Sequence, residues 1–251
     1  MRVENSPEVF ERRLINLRVK IFGAMILLLA SFLLPVTVQA AERTIIILIR
    51  HGETEYNKED RFQGTMDIPL DETGLRQADM LAESLKDVPI DVFISSPLKR
   101  AYVTTEKCAA LHGMKVAYTD ARLSEASYGD WAGQLRSDIK KKFPREYKLQ
   151  SEMRWKFTPP HGESLKSMQK RYRAALDDII AKYSGKTVLV GAHSGGNITL
   201  LCSVLNINLN HFNQFEQDNT CVNVLAYENG EWQLLLMNSV EHLGYLYKGM
   251  K

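Results

Sequence analysis

Three short apolar runs, at residues 45–49, 91–95 and 187–192, set the frame of the chain. None alternates with polar positions, the pattern of strands buried on both faces of a parallel sheet. Around them the apolar spacing turns helical. Leu75, Ala78, Met80, Leu81, Ala82 and Leu85 predict an amphipathic helix over 72–86. Ser95-Ser96-Pro97 predicts the start of a second, over 98–111, with a capping serine and a proline in its first turn. A third, over 164–183, carries Leu165, Met168, Tyr172, Ala175, Leu176 and Ile179 on one face, and a fourth covers 198–205. A short strand is expected near 116–118. Two more runs, 221–227 and 232–237, flank Asn229-Gly230, a strong hairpin signal. Residues 134–163 are poorly periodic and read as short helices and loops covering the sheet edge. The alternation of strands and helices predicts an α/β fold, a three-layer sandwich with a mostly parallel central sheet and helices on both faces.

Composition narrows this picture. With 45% hydrophobic and 25% charged residues and a net charge of +2 over 251 residues, the chain has ordinary globular composition. It lacks the basic stripe that nucleic acid would demand. The N-terminus changes the expected compartment. Arg12, Arg13, Arg18 and Lys20 precede an uncharged run over 21–34, and Pro35-Val36-Thr37-Val38-Gln39-Ala40 offers a small-residue cleavage site. The run falls short of the ~20 residues that span a bilayer. Residues 1–40 are therefore expected to be an export signal and 41–251 the mature, periplasmic or secreted domain; an uncleaved anchor, the one expected route to a membrane, is the competing reading. Cys108, Cys202 and Cys221 are an odd set within apolar patterns and read as core, with one bridge, Cys202 to Cys221, left open.

The chemistry follows the strands. Arg50-His51-Gly52 ends the first run, Arg100 stands in the first turn of the helix after the second, and His193 ends the third. In open α/β sheets, ligands bind at the strands' carboxyl ends. Converging cations without a metal-ligand set suit a phosphate group, whose oxygens accept guanidinium hydrogen bonds. A neutral imidazole in that cradle can attack phosphorus.

Leu48-Ile49-Arg50-His51-Gly52-Glu53-Thr54, Arg61-Phe62-Gln63-Gly64, Ser95-Ser96-Pro97-Leu98-Lys99-Arg100-Ala101 and His193, in this order, resemble the histidine phosphatase superfamily, also called phosphoglycerate mutase-like, over about 45–225. The resemblance implies His51 as nucleophile and Glu125 as proton donor. It implies a phosphate pocket of Arg50, Arg100 and His193, helped by Asn57, with Gln63, Gly64 and Ser194 also facing the substrate. It implies a small-molecule phosphomonoester as substrate, and no metal or other cofactor. Ser194 stands where the acid phosphatase and phytase branch has its donor Asp, so the acid must come from elsewhere, and the segment around Glu125 resembles the donor segment of the other branch. The longer insertion of the mutases is missing, which favours a phosphatase over a phosphotransferase. Ala132 and His161 depart from the usual phosphatase pattern on rim loops and leave the alcohol open; the oligomeric state is not fixed by the sequence. His112, His211 and His242 read as structural.

Other readings stand beside this one. Ala192-His193-Ser194-Gly195-Gly196 also fits the nucleophile elbow of an α/β-hydrolase. Ser194 would then need an acid from Glu216, Asp218, Glu228 or Glu231, together with His242. A non-catalytic phosphate-binding relative, and a metal site on His51 and Glu53, complete the set.

Overall fold

Strand β1 (Thr44–Arg50) runs through the interior of a six-stranded sheet whose other strands are β2 (Val92–Ser95), β3 (Tyr118–Thr119), β4 (Thr187–Ala192), β5 (Val222–Glu228) and β6 (Glu231–Ser239). The order is β3-β2-β4-β1-β5-β6. The first four in that order are mutually parallel, and β5 and β6 are antiparallel additions beyond β1. These positions come from a computed structural model that describes residues 42–246. The segment read as an export signal lies outside the described residues. The helices are α1 (Glu55–Lys58), α2 (Glu72–Leu85), α3 (Lys99–Leu111), α4 (Arg136–Lys142), α5 (Pro144–Glu152), α6 (Leu165–Lys182) and α7 (Ser194–Val204).

Side chains on successive strand positions point to opposite faces, and the two faces of β1 enter different cores. Ile46 and Leu48 join Val188, Val190 and Ile94 beneath α6 and α7; Ile47 and Ile49 join Phe93 and Leu189 beneath α2 and α3. Each such buried side chain stabilises the fold by roughly 1.5–3 kcal/mol. The strand is thus anchored on both sides up to the residue where its polar sequence begins. Register then sets the site: Arg50 lies opposite Ala192, and Ser95 opposite Gly191. His51, Ser96 and His193, each one residue further on, leave the sheet along a single edge.

Several local expectations shift. Leu75 is 40% exposed, and its expected place is taken by buried Gly74, where an added Cβ would lie 2.0 Å from the Glu53 carbonyl oxygen. Helix α3 has Leu98, not a serine, at its N-cap; the Ser96 hydroxyl accepts from the Leu98 N–H (3.3 Å) but also engages His193. Helix α7 starts at Ser194, a turn earlier than its apolar pattern, because Gly195 and Gly196 are buried against tertiary partners; a Cβ on Gly196 would fall 1.9 Å from the Tyr172 ring. Helices α4 and α5 and the 3₁₀ turn Arg154–Lys156 do not simply cover the sheet edge. They gather around Phe62, Tyr128, Trp131 and Ile139 and bring Arg136 and Arg154 to a cavity. Cys108, Cys202 and Cys221 are buried and free, so the Cys202–Cys221 bridge is not formed. The hairpin turn has positive φ at both Asn229 and Gly230, as its two-residue geometry requires.

Candidate active site

The cavity lies at the carboxyl edge of the parallel strands, about 530 Å³ with its open mouth included, a size suited to a small molecule. Arg50, His51, Asn57, Arg61, Gln63, Gly64, Arg100, Glu125, Tyr128, Arg136, Arg154, Ser194 and Gly195 line it. Five are arginines, and Glu125 is the single carboxylate among these lining residues.

His51 is 4% exposed, and its Nδ1 lies 2.7 Å from the Gly52 carbonyl oxygen. A carbonyl can only accept, so Nδ1 carries the hydrogen and Nε2 keeps its lone pair. Burial, reinforced by the charges of Arg100 and Arg50, holds the imidazole pKa well below 6.5. His51 is therefore a neutral base at neutral pH. His193 is fully buried, with its ring centroid 5.2 Å from that of His51, which lines the cavity. Its Nε2 meets the Ser96 hydroxyl at 2.8 Å. That hydroxyl also accepts from the Leu98 N–H, and the other ring nitrogen, Nδ1, is buried without a partner. Burial and then the charge of Arg100 keep His193 neutral too.

Arg100 is 1% exposed; it donates to the Met66 and Gly64 carbonyls, each at 2.7 Å. Arg50 donates to the Gln217 carbonyl at 2.5 Å. The Nε of each is buried without a partner. Burial lowers both pKa values, that of Arg100 to about 10, so Arg100 stays charged at neutral pH. Glu125 acts on both charges without pairing with either, and charges so incompletely compensated are costly to hold out of water. A tetrahedral anion would supply the missing acceptors.

The other lining residues are placed locally. Thr54 caps α1 in a reciprocal capping box with Asn57, whose carboxamide oxygen is 3.3 Å from the Thr54 nitrogen. This leaves the Asn57 amide hydrogens to offer. Gln63 donates to Thr54 Oγ1 at 3.0 Å, while its own oxygen is buried and unpartnered. Gly64 has φ +56°, a turn that aims its carbonyl at Arg100. Glu125 is fixed at both oxygens, Oε1 by the Ala126 N–H (2.8 Å) and Oε2 by the Gly195 N–H (3.0 Å). The approach is close: a Cβ on Gly195 would sit 2.6 Å from Oε1 and would displace the Glu125 carboxylate.

This arrangement agrees with the comparisons to known proteins. The family profile described as histidine phosphatase superfamily (branch 1) matches residues 46–240. The chain belongs to this superfamily. Phosphoserine phosphatase 1 of Hydrogenobacter thermophilus is 34% identical over 202 residues, 80% of this chain and 95% of that protein. YhfR of Bacillus stearothermophilus superposes with a TM-score of 0.76 at 29% identity, covering 80% of this chain and 99% of its own. A mutant of the Entamoeba histolytica phosphoserine phosphatase, bound to phosphoserine, gives 0.71 at 30% identity, with 80% and 99% covered. As a histidine phosphatase the protein is a hydrolase of phosphate monoesters.

The serine-esterase reading fails on this geometry. His242, its required histidine, has Nε2 on Thr220 Oγ1 at 3.1 Å, Asp218 is bonded to Asn238, and among the described residues no hydrogen bond links His242 to Glu216, Asp218, Glu228, Glu231 or Ser194. Ser194 lines the cavity as the first residue of α7. The sequence reading missed Tyr128, Arg136 and Arg154 as site residues. Tyr128 sits in the Glu125 segment and could have been flagged; the two arginines lie in the aperiodic stretch and carry no local signal.

Proposed function

We propose that this phosphatase works through a phosphohistidine on His51 with Glu125 as general acid and base. The observation that supports this most directly is a neutral, tautomer-fixed His51 beside the guanidiniums of Arg50 and Arg100, each with a buried, unpartnered Nε. Arg50, Arg100, Asn57 and His193, whose Nδ1 is unpartnered, hold the phosphate oxygens, and Nε2 of His51 attacks phosphorus in line. The P–O ester bond breaks as the P–N bond forms, and Glu125 gives its proton to the leaving alkoxide. Water then attacks phosphorus, Glu125 takes back a proton, and phosphate leaves His51 free. Positioning and charge stabilisation supply most of the acceleration in such transfers. The test is the trapped intermediate: label from a phosphomonoester should stay on the protein in alkali and be lost in acid, in chelator as without it. Label that survives acid and is lost in alkali would point to serine and against this reading.

The substrate side of the cavity favours a phosphomonoester with a second anionic group. Arg154 has no carboxylate partner among the described residues and lies over the rings of Tyr128 (5.2 Å) and Phe212 (5.0 Å). Arg136 is already paired with Asp60 at 3.0 Å. A substrate carboxylate, such as that of phosphoserine in the Entamoeba complex, fits Arg154. Arg154→Ala is expected to raise KM for phosphoserine about tenfold, the scale of one charge-assisted hydrogen bond, with KM for p-nitrophenyl phosphate nearly unchanged. Equal rises for both substrates would remove Arg154 from specificity.

Export is proposed from the N-terminal sequence alone. The mature protein should begin at Ala41 on N-terminal sequencing, whereas an intact Met1 on a membrane-bound form would establish an anchor.

A further inference from the structure

Residues 218–221 form a tight turn, closed by the Cys221 N–H on the Asp218 carbonyl (3.1 Å), against the back of the nucleophile. The His51 carbonyl accepts two hydrogen bonds from this turn, from the Thr220 N–H (3.2 Å) and from Asn219 Nδ2 (3.0 Å). Asn219 Nδ2 also lies 3.5 Å from the Asn57 carboxamide oxygen. On the other side of the same peptide, the Gly52 N–H donates to Thr104 Oγ1 (3.2 Å). The backbone carrying the imidazole is held from both sides, and the Gly52 carbonyl that fixes the ring tautomer belongs to this held segment.

The turn has an unusual residue at its bend. Thr220 is fully buried with φ +56°, a region that a β-branched side chain rarely enters and that glycine or asparagine normally fills. Such a conformation persists only when its surroundings impose it. The Thr220 hydroxyl donates to the Asn219 carbonyl at 2.7 Å and accepts from His242 Nε2 at 3.1 Å, so His242 is the outside group that ties the bend. The flank is fixed separately, by paired bonds of 2.8 Å between Asp218 and Asn238.

We propose that Asn219 is a positioning residue for His51, and that His242 keeps it in register by holding Thr220 in the left-handed conformation. This rests on the reading of His51 as the nucleophile. When the tie is cut, Thr220 relaxes toward negative φ, its N–H and the Asn219 amide swing off the His51 carbonyl, and Nε2 loses its line to phosphorus. Displacements of about 1 Å can cost on the order of 10²-fold in rate.

The experiment measures single-turnover phosphorylation of His51 in the full-length protein, with the thermal midpoint recorded for each variant. His242→Ala is expected to slow phosphorylation about 10–100-fold. Adding Thr220→Gly to it should restore most of the rate, because glycine holds positive φ without a tie. Asn219→Ala should show the same loss, and Thr220→Gly should not rescue it. A purely structural role lowers the thermal midpoint and leaves the rate per folded site untouched; that outcome, or a slow His242→Ala that glycine does not restore, overturns the proposal. Should His242→Ala not fold, Asn219→Ala decides alone: a wild-type rate overturns the proposal and a 10–100-fold loss supports it. Failure of the underlying reading has a different signature, since the wild-type protein would then form no acid-labile phosphoenzyme, and the positioning role would fall with it.

Discussion

His51→Ala is expected to lower turnover by on the order of 10⁶-fold, the scale on which removal of a nucleophile acts in enzymes of covalent mechanism. The residue stands where β1 ends, its Nδ1 proton is committed to the Gly52 carbonyl, and Nε2 is the remaining nitrogen. Alanine leaves the two buried guanidiniums in place, so vanadate should still bind while no label is trapped. A variant that keeps turnover within tenfold of wild type would show that another group attacks phosphorus. The same geometry sets the acid limb. Protonation of Nε2 removes the attacking lone pair, so the phosphorylation rate of the free enzyme falls as pH falls. Because burial and the charges of Arg100 and Arg50 depress the His51 pKa well below 6.5, that fall belongs below pH 6.5. Stability follows the same sign. The unfolded chain binds protons on these histidines that the folded one refuses, so the contribution of neutral His51 and His193 is fully present above about pH 6.5 and is lost as pH falls toward their folded values.

Glu125→Gln is expected to separate two jobs by leaving group. Positioned general acids are typically worth ~10²–10⁴-fold. The variant should lose about that factor in phosphorylation of His51 by an alkyl phosphate, whose alkoxide leaves badly without a proton. With p-nitrophenyl phosphate, whose leaving group departs as the anion, the loss should be much smaller. Single turnovers are needed, because steady-state rates also report hydrolysis of the intermediate, where Glu125 serves as base for every substrate. From p-nitrophenyl phosphate the variant should therefore accumulate phosphoenzyme. Glutamine keeps an oxygen for one of the two backbone donors at Ala126 and Gly195, so the loop should hold. Equal losses for both leaving groups in the phosphorylation step would show that the acid is another residue.

The three buried strands, the helices over 72–85 and 165–182 and the hairpin at Asn229-Gly230 were legible in the chain itself, because burial on one or two faces imposes a period that sequence records directly. The ends of those strands were legible too: Arg50, His51, Arg100 and His193 interrupt or follow apolar runs at places where a parallel sheet exposes its edge. What the sequence could not supply was anything set by contact between distant segments. The N-cap of α3 fell to Leu98 because Ser96 turns to His193, 97 positions away. Helix α7 gained its first turn from burial, which outweighs the weak propensity of Ser194-Gly195-Gly196. Arg136 and Arg154 reach the cavity from an aperiodic stretch by packing around Phe62 and Tyr128, and His242, without a partner in the linear chain, finds one at Thr220. Hydrophobic period is a local property of a segment, whereas a charge, a cap or a hydrogen-bond tie takes its meaning from a partner that only the folded chain brings near.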